Sequence, residues 1–349
     1  MGLPSYKGSF NFFKIKCSEA CSSLYLISAH AGLQSAFKRW LRDQGSGREG
    51  LEVRHSMVKI GEAGGVEVYS YWNGFFSFAN SPYYAHRRLS AVDIYPPRGL
   101  LEALSPVDGR IRFVKAISSG MDYAIILESL DDPNVSIKIL HVRPELGLKP
   151  GDKVGVGEGL GRIVWSPFYD FWTDPHIHVE VRPTSDPLRA RGGFELNLEA
   201  LTERLTFNLS QEAEEPSPKA LRVEEVNERY ALLKGAGSVP CFASPFQLSL
   251  KGFTGYLEGG IPHYGHCATI GIGGRPKGTR LKILGVDVFL DYSRRGYLHF
   301  KYEKVKVKVN GEPYRGLSVY MNDRYVKLIP LKIGGINLRE GDEAIIKLG

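Results

Sequence analysis

From Met57 to about residue 183 the chain runs through one apolar, alternating segment after another. VEVYSYW (66–72), AVDIY (91–95), GRIRFVKAI (109–117), YAIILES (123–129), VSIKILHV (135–142) and HIHVEVR (176–182) carry β-branched or alternating apolar residues, with Gly- and Pro-containing turns between most of them. Runs of this kind predict strands. LKPGDKVGVGEGLGRIVW (148–165) predicts a compact hairpin: a tight turn, a short strand, Gly-rich punctuation and a second short strand. The period then changes. ELNLEALTERLT (195–206) reads as a helix, QEAEEPSPKA (211–220) as an acidic linker punctuated by Pro and Ser, and ALRVEEVNERYALLKG (220–235) as a second amphipathic helix ending at Gly235. Residues 240–349 return to strands, including KVKVKV followed by Asn310-Gly311, the dipeptide that favours a two-residue hairpin turn. The expected fold class is mainly β. A β-sandwich domain spans 57–194, a helical linker 195–235, and an all-β accessory domain 236–349.

Residues 1–56 stand apart from this pattern. They are Ser-rich without clear periodicity, so they read as an N-terminal extension, with Met57 an alternative start. Lys7, Lys14 and Lys16 precede SSLYLIS and the Ala29–Ala31 pair, which loosely resembles a signal peptide. Glu19 interrupts it and the apolar core is only about seven residues, which favours a cytoplasmic location over secretion. No run of eighteen apolar residues occurs, so no membrane span is expected. The net charge of +7 is uneven: residues 1–56 carry eight Lys/Arg against four Asp/Glu. Elsewhere both signs interleave, and no basic stripe with aromatics stands out, which argues against a nucleic-acid partner. Cys17, Cys21, Cys241 and Cys267 lack the paired spacing of a zinc ribbon and are too few for a disulfide scaffold.

The chemistry gathers around WTDPHIHVEVRP (172–183). Residues two apart on a strand face the same way, so His176, His178 and Glu180 share one face, against Ile177, Val179 and Val181 on the other. Taken alone, that face suits a metal edge or a partly solvated strand equally. Three further pieces precede it: AHRRLSAVDIYP (85–96), ALSPVDGRIRFV (103–114) and VSIKILHVRPELGLKPGDKVGVGEGLGRI (135–163). In this order the pieces resemble the lysostaphin-type zinc metallopeptidases over about residues 85–183. That family runs from a His–Asp motif through a P-x-D-G-x-V strand, then a strand-end His with a Gly-Asp hairpin, to a closing H-x-H-x-E.

The resemblance implies a lysostaphin-like β-sandwich, or duplicated hybrid motif, and a site for Zn2+. By position, His86, Asp93 and His178 are the implied metal ligands, and His141 and His176 the implied catalytic pair. Three protein ligands leave the fourth tetrahedral position open, and Glu180 is a candidate partner fixing a ligand's tautomer. The implied activity is zinc-dependent hydrolysis of an amide bond in a peptide or peptidoglycan-like substrate. The sequence departs from the family in two places. Leu89, not a histidine, stands four residues before Asp93, and His86 stands seven before it. An aromatic stretch, SPFYDFWTD (166–174), replaces the family's small-residue loop. These departures support an alternative, a catalytically inactive lysostaphin-like scaffold or regulatory binding module. A lipoyl- or biotinyl-type carrier shares part of the strand pattern, but the chain lacks the modified-lysine context. Asp108 and Gly109 read as turn residues, and Pro262–Cys267 (PHYGHC) as a loop rather than a metal site.

Overall fold

The strand bearing His178 lies inside a seven-stranded antiparallel sheet. The computed structural model describes residues 57–206, 208–209, 220–250, 252–276 and 280–349. The expectations for residues 1–56, including the signal-like stretch, lie outside the described residues. Strand accounts for 48% and helix for 5%, so the mainly β expectation holds.

The N-terminal half holds strands β1 (Met57–Ala63), β2 (Val66–Tyr71), β3 (Phe75–Ser77), β4 (Val92–Tyr95), β5 (Glu102–Leu104), β6 (Gly109–Ile117), β7 (Asp122–Glu128), β8 (Val135–Leu140), β9 (Val142–Pro144), β10 (Lys153–Val154), β11 (Gly159–Ile163) and β12 (Ile177–Pro183). The large sheet runs β10-β6-β7-β8-β12-β4-β3, a smaller one β5-β11-β9, and β1 and β2 form a hairpin. On β12 the predicted alternation is realised. Ile177, Val179 and Val181 are buried in the core with Ile94, Val92, Ile139 and Ile137 across the register, while His178 and Glu180 take the other face. That second face is buried too. Segment 184–194 folds over it, with Arg182 donating to the carbonyls of Asp186 and Arg191 and Lys138 to that of Arg189.

Two sequence expectations change here. The stretch 148–165 is not a self-paired hairpin, because β10 joins β6 in the large sheet and β11 joins β5 and β9 in the small one. A turn over Gly155–Glu158, anchored by Asp108 Oδ1 accepting from Val156 N (2.7 Å), carries the chain between the sheets. Local alternation marks strands but not their partners. Nor is 195–235 a helical linker. Among the described residues of this segment, helix is confined to α2 (Glu199–Thr206), the second helix after the single turn α1 (Tyr84–Arg87). Residues 220–235 form strands Leu221–Val226 and Ala231–Lys234 within the C-terminal sheet. A register shift between Val223 and Glu225 sets Val223 and Val226 three apart, which imitates helical spacing. Asn227 Oδ1 then accepts from Arg229 N and Tyr230 N and closes the turn.

The C-terminal half is an eleven-stranded antiparallel sheet with a three-stranded one beside it. Its core includes Leu233, Leu257, Phe300, Leu317, Val326 and Leu328. Val307–Val309 pairs with Glu312–Tyr314 through the expected Asn310-Gly311 turn, both residues having positive φ. The two halves belong to one compact unit. Phe76 in edge strand β3 exchanges backbone hydrogen bonds with Met321, Asn322 donates to the carbonyls of Trp72 and Gly74, and Arg98 clasps Asp323 with both terminal guanidinium nitrogens.

Candidate metal centre

Strand register sets the first contact. His178 on β12 sits directly opposite Asp93 on β4, and His178 Nδ1 lies 2.8 Å from Asp93 Oδ1. His86 completes the cluster from α1, its Nε2 lying 3.3 Å from both His178 Nδ1 and Asp93 Oδ1. The seven-residue spacing to Asp93 works because α1 ends in a Schellman-type turn. Ser90 N bonds Ala85 O, Leu89 N bonds His86 O, and Leu89 takes the left-handed conformation at φ 51° with its side chain fully buried. Leu89 is therefore the helix stop, and it turns His86 toward Asp93. His86, Asp93 and His178 form the one group of three or more metal-capable side chains found among the described residues.

Each imidazole has one nitrogen committed elsewhere. His86 Nδ1–H donates to Phe78 O (2.9 Å), which leaves the Nε2 lone pair for the cluster. His178 Nε2 donates to Glu180 Oε1 (3.0 Å), so Nδ1 faces Asp93. Glu180 is in turn held by Arg182 (2.6 Å) and by Lys138, directly across the register. Burial opposes the charge on His178, but the hydrogen bonds to Asp93 and Glu180 overturn this and raise its pKa to about 9. Burial likewise opposes ionisation of Glu180, yet His178 and Lys138 draw it down to about 2. Asp93 is held well below the usual carboxylate range, His176, His86 and His178 outweighing its burial. Charged in this way, His178 donates from Nδ1 to Asp93 Oδ1.

The implied catalytic pair stands beside this cluster. His176 Nδ1–H donates to Asp174 O (2.9 Å) and its Nε2 lies 3.5 Å from Asp93 Oδ1. Burial lowers its pKa to about 4. His141 lies at the corner where the chain leaves β8 for β9, in the left-handed region at φ 70°, a conformation uncommon for a residue with a Cβ. Its Nδ1–H donates to Asp122 Oδ2 (2.7 Å), which also accepts from Ser166 Oγ (2.6 Å). Burial holds the His141 pKa below its ordinary value. The ring centroids of His141 and His176 are 5.2 Å apart, and Tyr169 packs against both, at 4.9 Å and 4.7 Å. The structure thus brings together His86, Asp93, His178, His141 and His176.

Sequence reasoning missed Asp122, Ser166, Lys138 and Arg182. Lys138 and Arg182 were legible as the register and i+2 neighbours of Glu180, whereas Asp122 and Ser166 belong to no recognisable motif. The histidines of Pro262–Cys267 serve packing and hydrogen bonding. His266 Nε2 donates to Ser81 O and its Nδ1 faces His299 Nε2, while burial pushes the Cys267 thiol up to about 12.

A mainly β protein in two sheet-built halves, carrying a buried His–Asp–His cluster able to hold a metal ion, is the class that fold and site define. Residues 66–198 match the family model described as the DUF8155 N-terminal domain, a domain of unknown function, and residues 219–348 match the DUF8155 C-terminal domain. Together the two matches span most of the chain, which belongs to the DUF8155 family. No curated protein and no solved structure matches it.

Proposed function

We propose that the chain is a zinc-dependent hydrolase of amide bonds in a peptide or peptidoglycan-like substrate. The observation that carries this reading is the convergence of His86 Nε2, Asp93 Oδ1 and His178 Nδ1. Their separations are 3.3, 3.3 and 2.8 Å. Ligands about 2.0–2.1 Å from a tetrahedral zinc lie about 3.3–3.4 Å from one another, so the donor set fits with little movement. Zinc held there supplies a Lewis acid for the carbonyl and lowers the pKa of water.

The chain's own groups supply the proton chemistry. His141 presents a bare Nε2 while Asp122 faces its Nδ1–H, an arrangement that stabilises the imidazolium formed when Nε2 takes a proton from water. The same proton can pass to the departing nitrogen, so water adds OH to the carbonyl carbon and H to the amine as the C–N bond breaks. His176 accepts equally at Nε2, but a neutral carbonyl backs it, which makes His141 the stronger base. Glu180, fixed by Lys138 and Arg182, keeps the His178 tautomer that leaves Nδ1 for the metal.

A second reading, a binding or scaffold module, rests on one specific observation. Tyr169 covers both catalytic rings, and His141 and His176 are only 7% and 5% exposed. Elemental analysis followed by a peptide-library cleavage screen separates the two readings. Stoichiometric zinc with cleavage supports the hydrolase. Stoichiometric zinc with no cleavage, even after Tyr169→Ala, supports the scaffold, and absence of zinc overturns the metal reading itself.

A further inference from the structure

Both histidines that aim Nε2 at Asp93 are oriented in the same way. A backbone carbonyl, which can only accept, takes the Nδ1 hydrogen: Phe78 O for His86 and Asp174 O for His176, each at 2.9 Å. Those two carbonyls belong to residues gripped from the C-terminal half. Phe78 N donates to both carboxylate oxygens of Glu258 (3.1 and 3.2 Å), and the neighbouring Ser77 Oγ donates to the same group. Glu258 lies in strand Phe253–Ile261 and is fully buried. The Asp174 carboxylate accepts from Lys327 Nζ (2.5 Å), Tyr230 OH (3.0 Å) and Arg229 (3.2 Å). Lys327 and Arg229 also donate to the carbonyls of Trp172, Phe171 and Thr173, so every residue from 171 to 174 is held.

We propose that the C-terminal half is a working part of the metal centre: Glu258 on one side, and Lys327, Arg229 and Tyr230 on the other, anchor the two peptide carbonyls that fix the His86 and His176 tautomers. Glu258, Lys327, Arg229 and Tyr230 are positioning residues, since none touches Asp93 or the cluster itself. Simple adhesion between halves needs no such placement. Arg98–Asp323 and the Phe76–Met321 bridge already join the halves without a hydrogen bond to Phe78 or Asp174. The consequences for metal binding and turnover rest on the zinc-hydrolase reading, whereas the tautomers do not.

The test uses the full chain with 15N-labelled histidine. Long-range proton–nitrogen spectra report the tautomers of His86 and His176, and zinc affinity and amide cleavage are measured alongside. In the wild type both rings are expected to carry hydrogen on Nδ1. Glu258→Met should release His86 to a mixed tautomer and weaken zinc binding about 10–100-fold, with Glu258→Gln, which keeps an acceptor oxygen, restoring most of it. The double variant Arg229→Gln, Tyr230→Phe should release His176 and lower kcat about tenfold or more, with KM and zinc affinity unchanged. Tautomers unchanged in the folded variants would overturn the proposal. If Glu258→Met does not fold, the Arg229/Tyr230 variant, which keeps the buried Tyr230 ring and alters an Arg229 side chain that is 21% exposed, decides it alone. A wild type that binds no zinc and cleaves no amide defeats the hydrolase reading, and the tautomer measurement still decides this one.

Discussion

At the scale of single residues, the four site histidines are distinguished by what faces each ring nitrogen, and the roles proposed for them follow from that difference. Of the two histidines outside the proposed ligand set, His141 has a carboxylate on its Nδ1–H and His176 a backbone carbonyl. Asp122→Asn keeps an acceptor but removes the charge that stabilises the protonated ring, so kcat should fall about 100-fold or more while zinc content stays stoichiometric. Steady-state kinetics with elemental analysis checks this, and unchanged kcat removes His141 as the base. His178 makes a pH prediction. Its pKa of about 9 means that the ring holds its Nδ1 proton at neutral pH, and that proton must leave before the nitrogen can ligate. A raised pKa strengthens the proton's competition below it, so zinc affinity should rise about tenfold per pH unit between pH 6 and 8, with about one proton released. Calorimetry in buffers of different ionisation heat measures both, and a flat profile contradicts the assignment. The face shared by His176, His178 and Glu180 was legible because strand periodicity is two. Asp122 was not, because its role depends on a corner that brings His141 back over the start of β7.

At the scale of elements, the site depends on two departures from regular structure. The Leu89 turn swings α1 so that His86 reaches Asp93, and the left-handed His141 breaks one predicted strand, 135–142, into β8 and β9. Periodicity reports neither. A positive φ at a leucine or histidine is a tertiary choice, and the same holds for the bulge that made Val223–Val226 read as helix. The aromatic segment 166–174 is the element most open to test. Its Tyr169 packs on the rings of His141 and His176 while Arg229 and Lys327 hold its far end. Tyr169→Ala should leave zinc stoichiometry intact and speed removal of the metal by a chelator about tenfold. Equal removal rates would show that the segment does not limit access.

At the scale of the whole molecule, the division into a β domain and an all-β accessory domain was readable from periodicity, and their interdependence was not. Glu258 illustrates why: nothing in FTGYLEGGI marks a carboxylate that will be fully buried against Ser77 and Phe78. Burial raises its pKa from 4.5 to about 8. The folded chain therefore keeps a proton that the unfolded chain releases between these values. Stability should fall as pH rises through that window, at a rate of at most about 1.4 kcal/mol per pH unit from this group. Glu258→Gln removes that loss. Denaturation at pH 5, 7 and 9 should show the wild type losing stability relative to the variant, and parallel profiles would contradict the buried-acid account.

The proposal that His86, Asp93 and His178 hold zinc is tested by elemental analysis of untagged protein, wild type and His178→Ala, after zinc addition and removal of excess. About one zinc per wild-type chain is expected, and none retained by the variant. A folded wild type that retains no metal, or a His178→Ala variant that retains it at full stoichiometry, would contradict it.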